Sequence, residues 1–132
     1  MKNKRILIVD DDLDLLSLLD WHLNRSGYKT GAAVNGLEAI MKIREFKPDL
    51  LLLDIMLPEI DGLKLCRWIK DNKDVAISNL CVVLMTALSG LSDRARGLSD
   101  GADYYITKPF DMNDLVLRIE ALLHFPGNTY SG

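Results

Sequence analysis

The sequence predicts an α/β domain in which strands and helices alternate five times around an open parallel sheet. Two short apolar runs, 6–9 and 50–53, are continuous rather than alternating, which is typical of strands buried on both faces. Segments with apolar residues at spacings of three and four follow the strands, as amphipathic helices require. This alternation within 132 residues predicts a (βα)5 doubly wound, five-stranded parallel sheet with helices on both faces.

The five predicted strands differ in polarity, which indicates where each lies in the sheet. The third is the most apolar and is expected at the centre, whereas the second is more polar and is expected nearer an edge. The predicted strands are Arg5–Val9, Tyr28–Ala33, Leu50–Asp54, Leu80–Met85 and Asp103–Thr107.

The predicted helices are bounded by caps and stop signals. Gly27 is expected to close the first helix, Asn35 to cap the second and Pro48 to follow it as a stop signal. Gly101 is expected to end the fourth helix and Asp111 to cap the fifth. The third and fourth helices are predicted at Gly62–Asn72 and Ser92–Ser99. Four of the helices have an apolar face that is expected to point towards the sheet. These faces carry Leu16, Leu19 and Leu23 in the first helix, Ala39, Ile40 and Ile43 in the second, Leu63, Leu65 and Ile69 in the third, and Leu115, Ile119 and Leu122 in the fifth.

Composition and charge narrow the class of protein. A net charge of −3 gives no support for direct binding of nucleic acid. No apolar run approaches the roughly 20 residues that span a bilayer, and the apolar run after the basic start is too short for a signal peptide, so a cytoplasmic location without membrane contact is expected. Cys66 and Cys81 lack the spacing of a metal site, and both are expected to be reduced thiols that pack as small hydrophobic side chains. Residues 1–124 are expected to form the domain, and 125–132 a tail or the start of a linker.

Four aspartates follow the first and third predicted strands. They are Asp10, Asp11, Asp12 and Asp54. The carboxyl ends of parallel strands meet at one edge of a sheet, where ligands bind at the switch point in strand order. Carboxylates that converge there repel one another unless a proton or a cation compensates them. The pattern therefore predicts a site for a hard divalent metal with oxygen ligands.

The remaining strand ends add a hydroxyl and an ammonium group. Thr86 and Ala87 follow the fourth strand, and Lys108, Pro109 and Phe110 follow the fifth. Carboxylates, a hydroxyl and an ammonium are the groups needed to hold Mg²⁺ beside a nucleophilic carboxylate and to neutralise phosphoryl oxygens. His22 and His124 lie on helices away from this edge and are expected to have no catalytic role.

Four segments in this order carry a resemblance to a known family. They are ILIVDDD, LLLLDIMLPEIDG, VVLMTA and GADYYITKPF. From Lys4 to about Leu123 the chain resembles the receiver domain of bacterial two-component response regulators, nearest their transcription-factor branch. The resemblance implies a flavodoxin-like, CheY-like fold with strand order 2-1-3-4-5. It also implies a phosphoacceptor that takes a phosphoryl group from a partner histidine kinase or phosphotransfer protein, and an effector domain that is not in this chain.

The resemblance implies a role for each acidic residue. Asp54 matches the phosphoacceptor, Asp11 the direct Mg²⁺ ligand and Asp10 a residue that acts on the metal mainly through water. The backbone carbonyl of Met56 matches a further Mg²⁺ ligand. The residues themselves, rather than the resemblance, indicate that Asp12 is only the cap of the first helix, because aspartates in such a run commonly cap a helix.

The resemblance also assigns the other half of a switch. Thr86 matches the hydroxyl that binds and reports the phosphoryl group, and Lys108 the cation that pairs with it. The Lys108–Pro109 peptide bond is expected to be cis, and Tyr105 matches the switch aromatic whose rotamer follows Thr86. Pro58 and Gly62 match the turn after the acceptor.

In this family, two side chains line the path of the water molecule that hydrolyses the aspartyl phosphate, and both positions are apolar here. They are Met56 and Leu88. Neither side chain can orient a water molecule by hydrogen bonding. We therefore expect the aspartyl phosphate to be comparatively long-lived without a phosphatase.

The transcription-factor branch forms a homodimer when phosphorylated, through the fourth predicted helix, fifth strand and fifth predicted helix. Tyr104 replaces a common aspartate of that face and Glu120 a common lysine, which places one cross-interface ion pair in question. A solvated charged face is the alternative, because exposed ion pairs contribute only ~0–1 kcal/mol. The charged positions that match the dimer face are Arg96, Asp103, Asp114 and Arg118.

Three other interpretations share parts of the pattern. A phosphohydrolase of the haloacid-dehalogenase type needs a second aspartate two residues after its nucleophile, where this chain has Met56. A flavodoxin-like binder of a phosphate-bearing cofactor needs a Gly/Ser/Thr-rich loop after the first strand, where this chain has three carboxylates. An inactive receiver used only for docking would not need the complete set Asp11, Asp54, Thr86 and Lys108.

Overall fold

Five parallel strands form one sheet: β1 Arg5–Val9, β2 Lys29–Ala33, β3 Leu50–Asp54, β4 Cys81–Thr86 and β5 Tyr104–Thr107. Their order across the sheet is β2-β1-β3-β4-β5, as predicted. The structure is a computed structural model that describes residues 4–57, 60–86 and 101–124. Every residue of the central strand β3 is buried, and the more polar β2 lies at an edge, as their sequences predicted.

Five helices lie within the described residues, and one of them was not predicted. The third helix ends earlier than expected because the Asn72 side chain accepts a bond of 2.9 Å from the Asp74 amide and starts a new turn. Asp74 then caps a short helix, α4 Val75–Ser78, by accepting from the Ala76 amide at 3.0 Å. The helices are α1 Leu13–Arg25, α2 Gly36–Phe46, α3 Gly62–Lys70, α4 Val75–Ser78 and α5 Met112–His124.

Some predictions fall outside the described residues. The fourth predicted helix, Ser92–Ser99, and the tail 125–132 lie there. The same holds for the individual residues Pro58, Ala87, Leu88 and Arg96.

Three side-chain caps start helices where the sequence predicted them. Asp12 accepts from the Asp14 and Leu15 amides, Asn35 from the Glu38 amide at 2.8 Å, and Asp111 from the Asn113 amide at 2.8 Å. Such caps satisfy amide groups that have no partner within the helix. The cap at Asp12 matters most, because α1 then begins directly after the aspartates that follow β1.

The sheet separates two apolar layers. Leu51 and Leu53 of β3 pack with α2 and α3 on one face, whereas Leu50 and Leu52 pack with α1 and α5 on the other. This alternation follows from the two-residue period of a strand buried on both faces. The predicted inward faces of α1, α2, α3 and α5 all contribute to these layers. In the part of the chain that the structure describes, no helix combines the length and apolarity needed to cross a bilayer.

Candidate functional site

The strand register brings the predicted acidic residues to one edge of the sheet. Val9 of β1 pairs with Leu53 of β3, so Asp10 and Asp54 leave neighbouring strands side by side. Carboxylate oxygens of Asp10, Asp11 and Asp54 all lie within 4.8 Å of one another. The chemistry of this donor set fits a hard divalent cation such as Mg²⁺, which prefers oxygen ligands.

Asp10 is completely buried, which is unusual for a carboxylate. One of its oxygens accepts from the Asp12 amide at 2.9 Å, and the other lies 2.7 Å from the Lys108 ammonium. Asp11, by contrast, is exposed at the open side of the cluster. The cluster thus has a buried carboxylate held by the protein and an accessible one that faces solvent.

Asp54 lies at the end of β3 with only 6% of its surface exposed. Its Oδ1 accepts from the Met56 amide at 3.0 Å, and its Oδ2 lies 3.2 Å from the Lys108 ammonium. Burial raises the pKa of this carboxyl group, and the charge of Asp10 raises it further against the opposing Met56 amide and Lys108. A second cation would therefore favour the ionised, nucleophilic form of Asp54.

Lys108 bridges the two buried carboxylates. Desolvation lowers its pKa, but the hydrogen bond to Asp10 and the charges of Asp54 and Asp10 outweigh that effect and leave the pKa raised. Its backbone amide donates to the Thr86 carbonyl at 2.7 Å, which ties the end of β5 to the end of β4. The Lys108–Pro109 peptide bond is cis.

Thr86 and Tyr105 lie on the same face of the sheet. Thr86 is fully buried at the end of β4, opposite Thr107, and Tyr105 pairs with Leu84 two residues earlier. Because side chains alternate along a strand, Leu84, Thr86 and Tyr105 share one face. Tyr105 is itself buried in the apolar layer that contains Leu84. The two predicted switch residues are therefore diagonal neighbours across β4 and β5.

The segment after Asp54 turns back closely onto the strand, and Gly62 permits this. The Gly62 amide donates to the Ile55 carbonyl at 2.9 Å. A Cβ atom at Gly62 would lie 2.4 Å from the Asp54 carbonyl oxygen and 2.7 Å from the Ile55 Cα. A second glycine, Gly36 at the start of α2, allows Ile60 to pack closely against that helix. A Cβ atom added at Gly36 would lie 2.6 Å from the Cβ atom of Ile60. A glycine at the first residue of a helix was the only signal of this contact in the sequence.

Asp103, Asp114 and Arg118 of the predicted dimer face, the charged members that the structure describes, have partners within the chain. Asp103 accepts from Lys70 and from the Val82 amide, each at 2.8 Å. Arg118 donates to Asp114 at 2.9 Å and to the Tyr104 hydroxyl, and its guanidinium also lies over the Tyr104 ring. The sequence does not indicate the contacts of Lys70 and Tyr104, because Lys70 is 33 residues from Asp103 and a tyrosine at position 104 removes a common aspartate without identifying another partner.

The sequence matches the response regulator receiver domain family over residues 6–120. The alkaline phosphatase synthesis transcriptional regulatory protein PhoP of Bacillus subtilis is 40% identical over 121 residues, which are 92% of this chain and 49% of that protein. The DNA-binding dual master transcriptional regulator RpaA of Synechocystis is 38% identical over 119 residues, which are 90% of this chain and 48% of that protein. The chain thus spans about half the length of these curated relatives.

Solved structures resemble the fold over nearly the whole chain. A two-component response regulator from Clostridium difficile has a TM-score of 0.88 and 31% identity, covering 96% of this chain and 100% of that one. The signal receiver domain of a signal transduction histidine kinase from Syntrophus aciditrophicus has a TM-score of 0.84 and 37% identity, covering 98% and 96%. Receivers of this kind therefore occur both in response regulators and in histidine kinases.

Proposed function

Because this chain belongs to the response regulator receiver domain family, we propose that Asp54 is its phosphoacceptor and that residues 1–124 form the receiver. A partner histidine kinase or phosphotransfer protein would supply the phosphoryl group. The observation that carries this proposal is the geometry of the Asp54 carboxylate, which is nearly buried yet lies at the open edge of the sheet. The Met56 amide holds one of its oxygens and Lys108 contacts the other.

In the proposed reaction, an Asp54 oxygen attacks the phosphorus of a phosphohistidine in line with the bond that breaks. A P–O bond forms, the P–N bond breaks, and the leaving imidazole takes up a proton. Lys108 neutralises oxygens of the transferred group, since phosphoryl transfer depends mainly on positioning and charge stabilisation. When bound, Mg²⁺ would supply further positive charge, held by Asp11 directly, Asp10 mainly through water, Asp54 and the Met56 carbonyl.

The protein acts in this proposal as a signalling phosphoacceptor that catalyses its own modification and slow dephosphorylation, without turnover of external phosphoesters. The phosphoryl group adds negative charge next to Thr86, whose hydroxyl would donate to a phosphoryl oxygen. Tyr105 shares that face of the sheet and would follow the movement of Thr86. The surface formed by the fourth predicted helix, β5 and α5 would then change for a partner.

An effector domain outside these residues would receive this signal. The support comes from the curated relatives, which are transcriptional regulators about twice as long as this chain. The net charge of −3 gives no support for direct binding of nucleic acid by the receiver, so in this proposal the effector domain makes any such contact.

A homodimer of the phosphorylated receiver is a separate proposal. The internal bonds of Asp103 and Arg118 compete with contacts across such an interface. Sedimentation of the phosphorylated form at high concentration tests the homodimer. A protein that stays strictly monomeric would refute this proposal.

Acetyl phosphate with Mg²⁺ gives a direct test of the phosphoacceptor. Intact-mass spectrometry should show one added phosphoryl group on the wild type and none on Asp54→Ala or after chelation of the metal. Asp12→Ala is the matched control, because Asp12 only caps α1 and should leave the modification in place. A wild type that stays unmodified with several phosphodonors would exclude the function.

A further inference from the structure

Met56 combines exposure with a position beside the acceptor carboxylate. Its surface is 62% exposed, and its amide donates to Asp54 Oδ1 at 3.0 Å. Met41 on α2 is exposed to a similar extent, at 60%, whereas Met85 is completely buried. Oxidation of a thioether depends on access of the oxidant to sulfur. Met56 and Met41 are therefore accessible to the same oxidants, but only Met56 is bonded through its backbone to the acceptor.

We propose that Met56 is a site of oxidation by peroxide and that its sulfoxide shortens the lifetime of the phosphate on Asp54. The inference rests on the proposed phosphoacceptor function. In the oxidation step, the sulfur lone pair attacks one oxygen of hydrogen peroxide, an S–O bond forms and the O–O bond breaks. The second oxygen leaves as water with both protons, so sulfur loses two electrons and the peroxide gains them.

The chemical reason lies in the change of hydrogen-bonding capacity. A thioether is a weak acceptor and offers an attacking water no firm partner. Oxidation converts this flexible apolar side chain into a polar one with an S–O oxygen. An acceptor beside Asp54 can hold a water molecule and orient its lone pair towards the phosphorus. We expect dephosphorylation to become about fivefold faster, the rate factor that one net hydrogen bond supplies in a transition state.

The experiment compares peroxide-treated and untreated receiver. Peptide mass spectrometry measures the sulfoxide at Met56 and Met41, and intact-mass spectrometry then follows loss of the phosphoryl group after acetyl phosphate is removed. Met41→Leu should keep the effect of peroxide, because it leaves Met56 in place. Met56→Leu should lose that effect, whatever the lifetime of its phosphate before treatment. Met56→Gln, which places a polar acceptor there without oxidant, should lose phosphate faster than Met56→Leu.

Repair gives a further readout. Methionine sulfoxide reductases should restore the original lifetime in the treated wild type. These enzymes should not restore the lifetime if cysteine oxidation caused the change. Cysteine oxidation is disfavoured here, because the pKa of the Cys81 thiol is raised to about 12 and Cys66 is buried.

Each outcome supports or overturns a defined statement. A wild type that accepts no phosphoryl group refutes the proposed function, not the role of Met56 alone. A phosphorylated wild type whose phosphate lifetime is unchanged or longer after Met56 is oxidised overturns this inference. So does a Met56 that stays unoxidised when Met41 is converted, or a Met56→Leu variant that responds to peroxide as the wild type does.

Discussion

Replacing Gly62 by alanine tests the close packing that positions the acceptor strand. Gly62 is the first residue of α3, and its amide donates a hydrogen bond of 2.9 Å to the Ile55 carbonyl. The added methyl group would meet the Asp54 carbonyl oxygen at 2.4 Å and the Ile55 Cα at 2.7 Å. Both contacts are with backbone atoms, which cannot rotate away as a side chain can. The substitution must therefore displace α3 from the end of β3.

The size of the effect follows from these distances. Optimal contacts between carbon atoms are about 3.5–4.0 Å, so the backbone must move by roughly 1 Å. Overpacking of this kind costs about 1–3 kcal/mol. Alanine regains up to ~1 kcal/mol because it is a better helix former than glycine. We expect a net loss of about 1–2 kcal/mol in the free energy of unfolding, and slower phosphorylation because Asp54 moves.

Urea unfolding at equilibrium measures the loss, and a second glycine provides the control. The three nearest contacts of a Cβ atom at Gly31 would be with side chains, the Phe46 ring at 3.3 and 3.4 Å and the Leu7 Cδ1 at 3.5 Å, and side chains can shift. Gly31→Ala should therefore stay within about 0.5 kcal/mol of the wild type. A Gly62→Ala variant as stable as the wild type, or more stable, would show that the close approach does not constrain this loop.

Two further predictions concern buried ionisable groups. Burial, with a contribution from the charge of Glu120, raises the pKa of Tyr28 to about 12. The pKa of Tyr28 in the folded protein thus exceeds the ordinary value of about 10 for an unfolded chain. The neutral hydroxyl therefore contributes fully to the free energy of unfolding below a pH of about 10, and this contribution is lost as the pH rises through about 12. Urea titrations across this range should show a decline that Tyr28→Phe lacks; equal slopes would contradict the assignment. Without divalent cations at neutral pH, Asp54→Asn should raise the free energy of unfolding by ~1 kcal/mol, because it removes a buried charge beside Asp10. Lys108 keeps its bond to Asp10 in that variant, and a loss of stability would contradict this reasoning.

The sequence predicted the five-stranded parallel sheet and the convergence of the aspartates because these depend on periodicity and on the geometry of parallel strands. The order of the strands, by contrast, was implied by the family resemblance. Continuous apolar runs identify buried strands, and the residues at their ends must then share an edge. The side-chain caps at Asp12, Asn35 and Asp111 were predictable for the same reason, since they depend only on local backbone geometry.

Two kinds of feature were not predictable: a local competition between possible helix caps, and contacts between residues distant in sequence. The short α4 starts where Asn72 and Asp74 capture amide groups, a competition that periodicity does not reveal. Lys108 contacts both Asp10 and Asp54 only because three strands end together, and their separations of 2.7 and 3.2 Å come from packing. Lys70 meets Asp103 across 33 residues of sequence, so no local pattern could indicate that pair.

Chemical trapping of the modified residue tests the central claim most directly. Borohydride reduces an aspartyl phosphate to homoserine but leaves a free carboxylate and a phosphorylated hydroxyl unchanged. After acetyl phosphate and Mg²⁺, reduction and peptide mass spectrometry should place homoserine at position 54 and leave Asp10 and Asp11 unchanged. Homoserine at another aspartate, or none at all, would contradict the assignment of Asp54 as the phosphoacceptor.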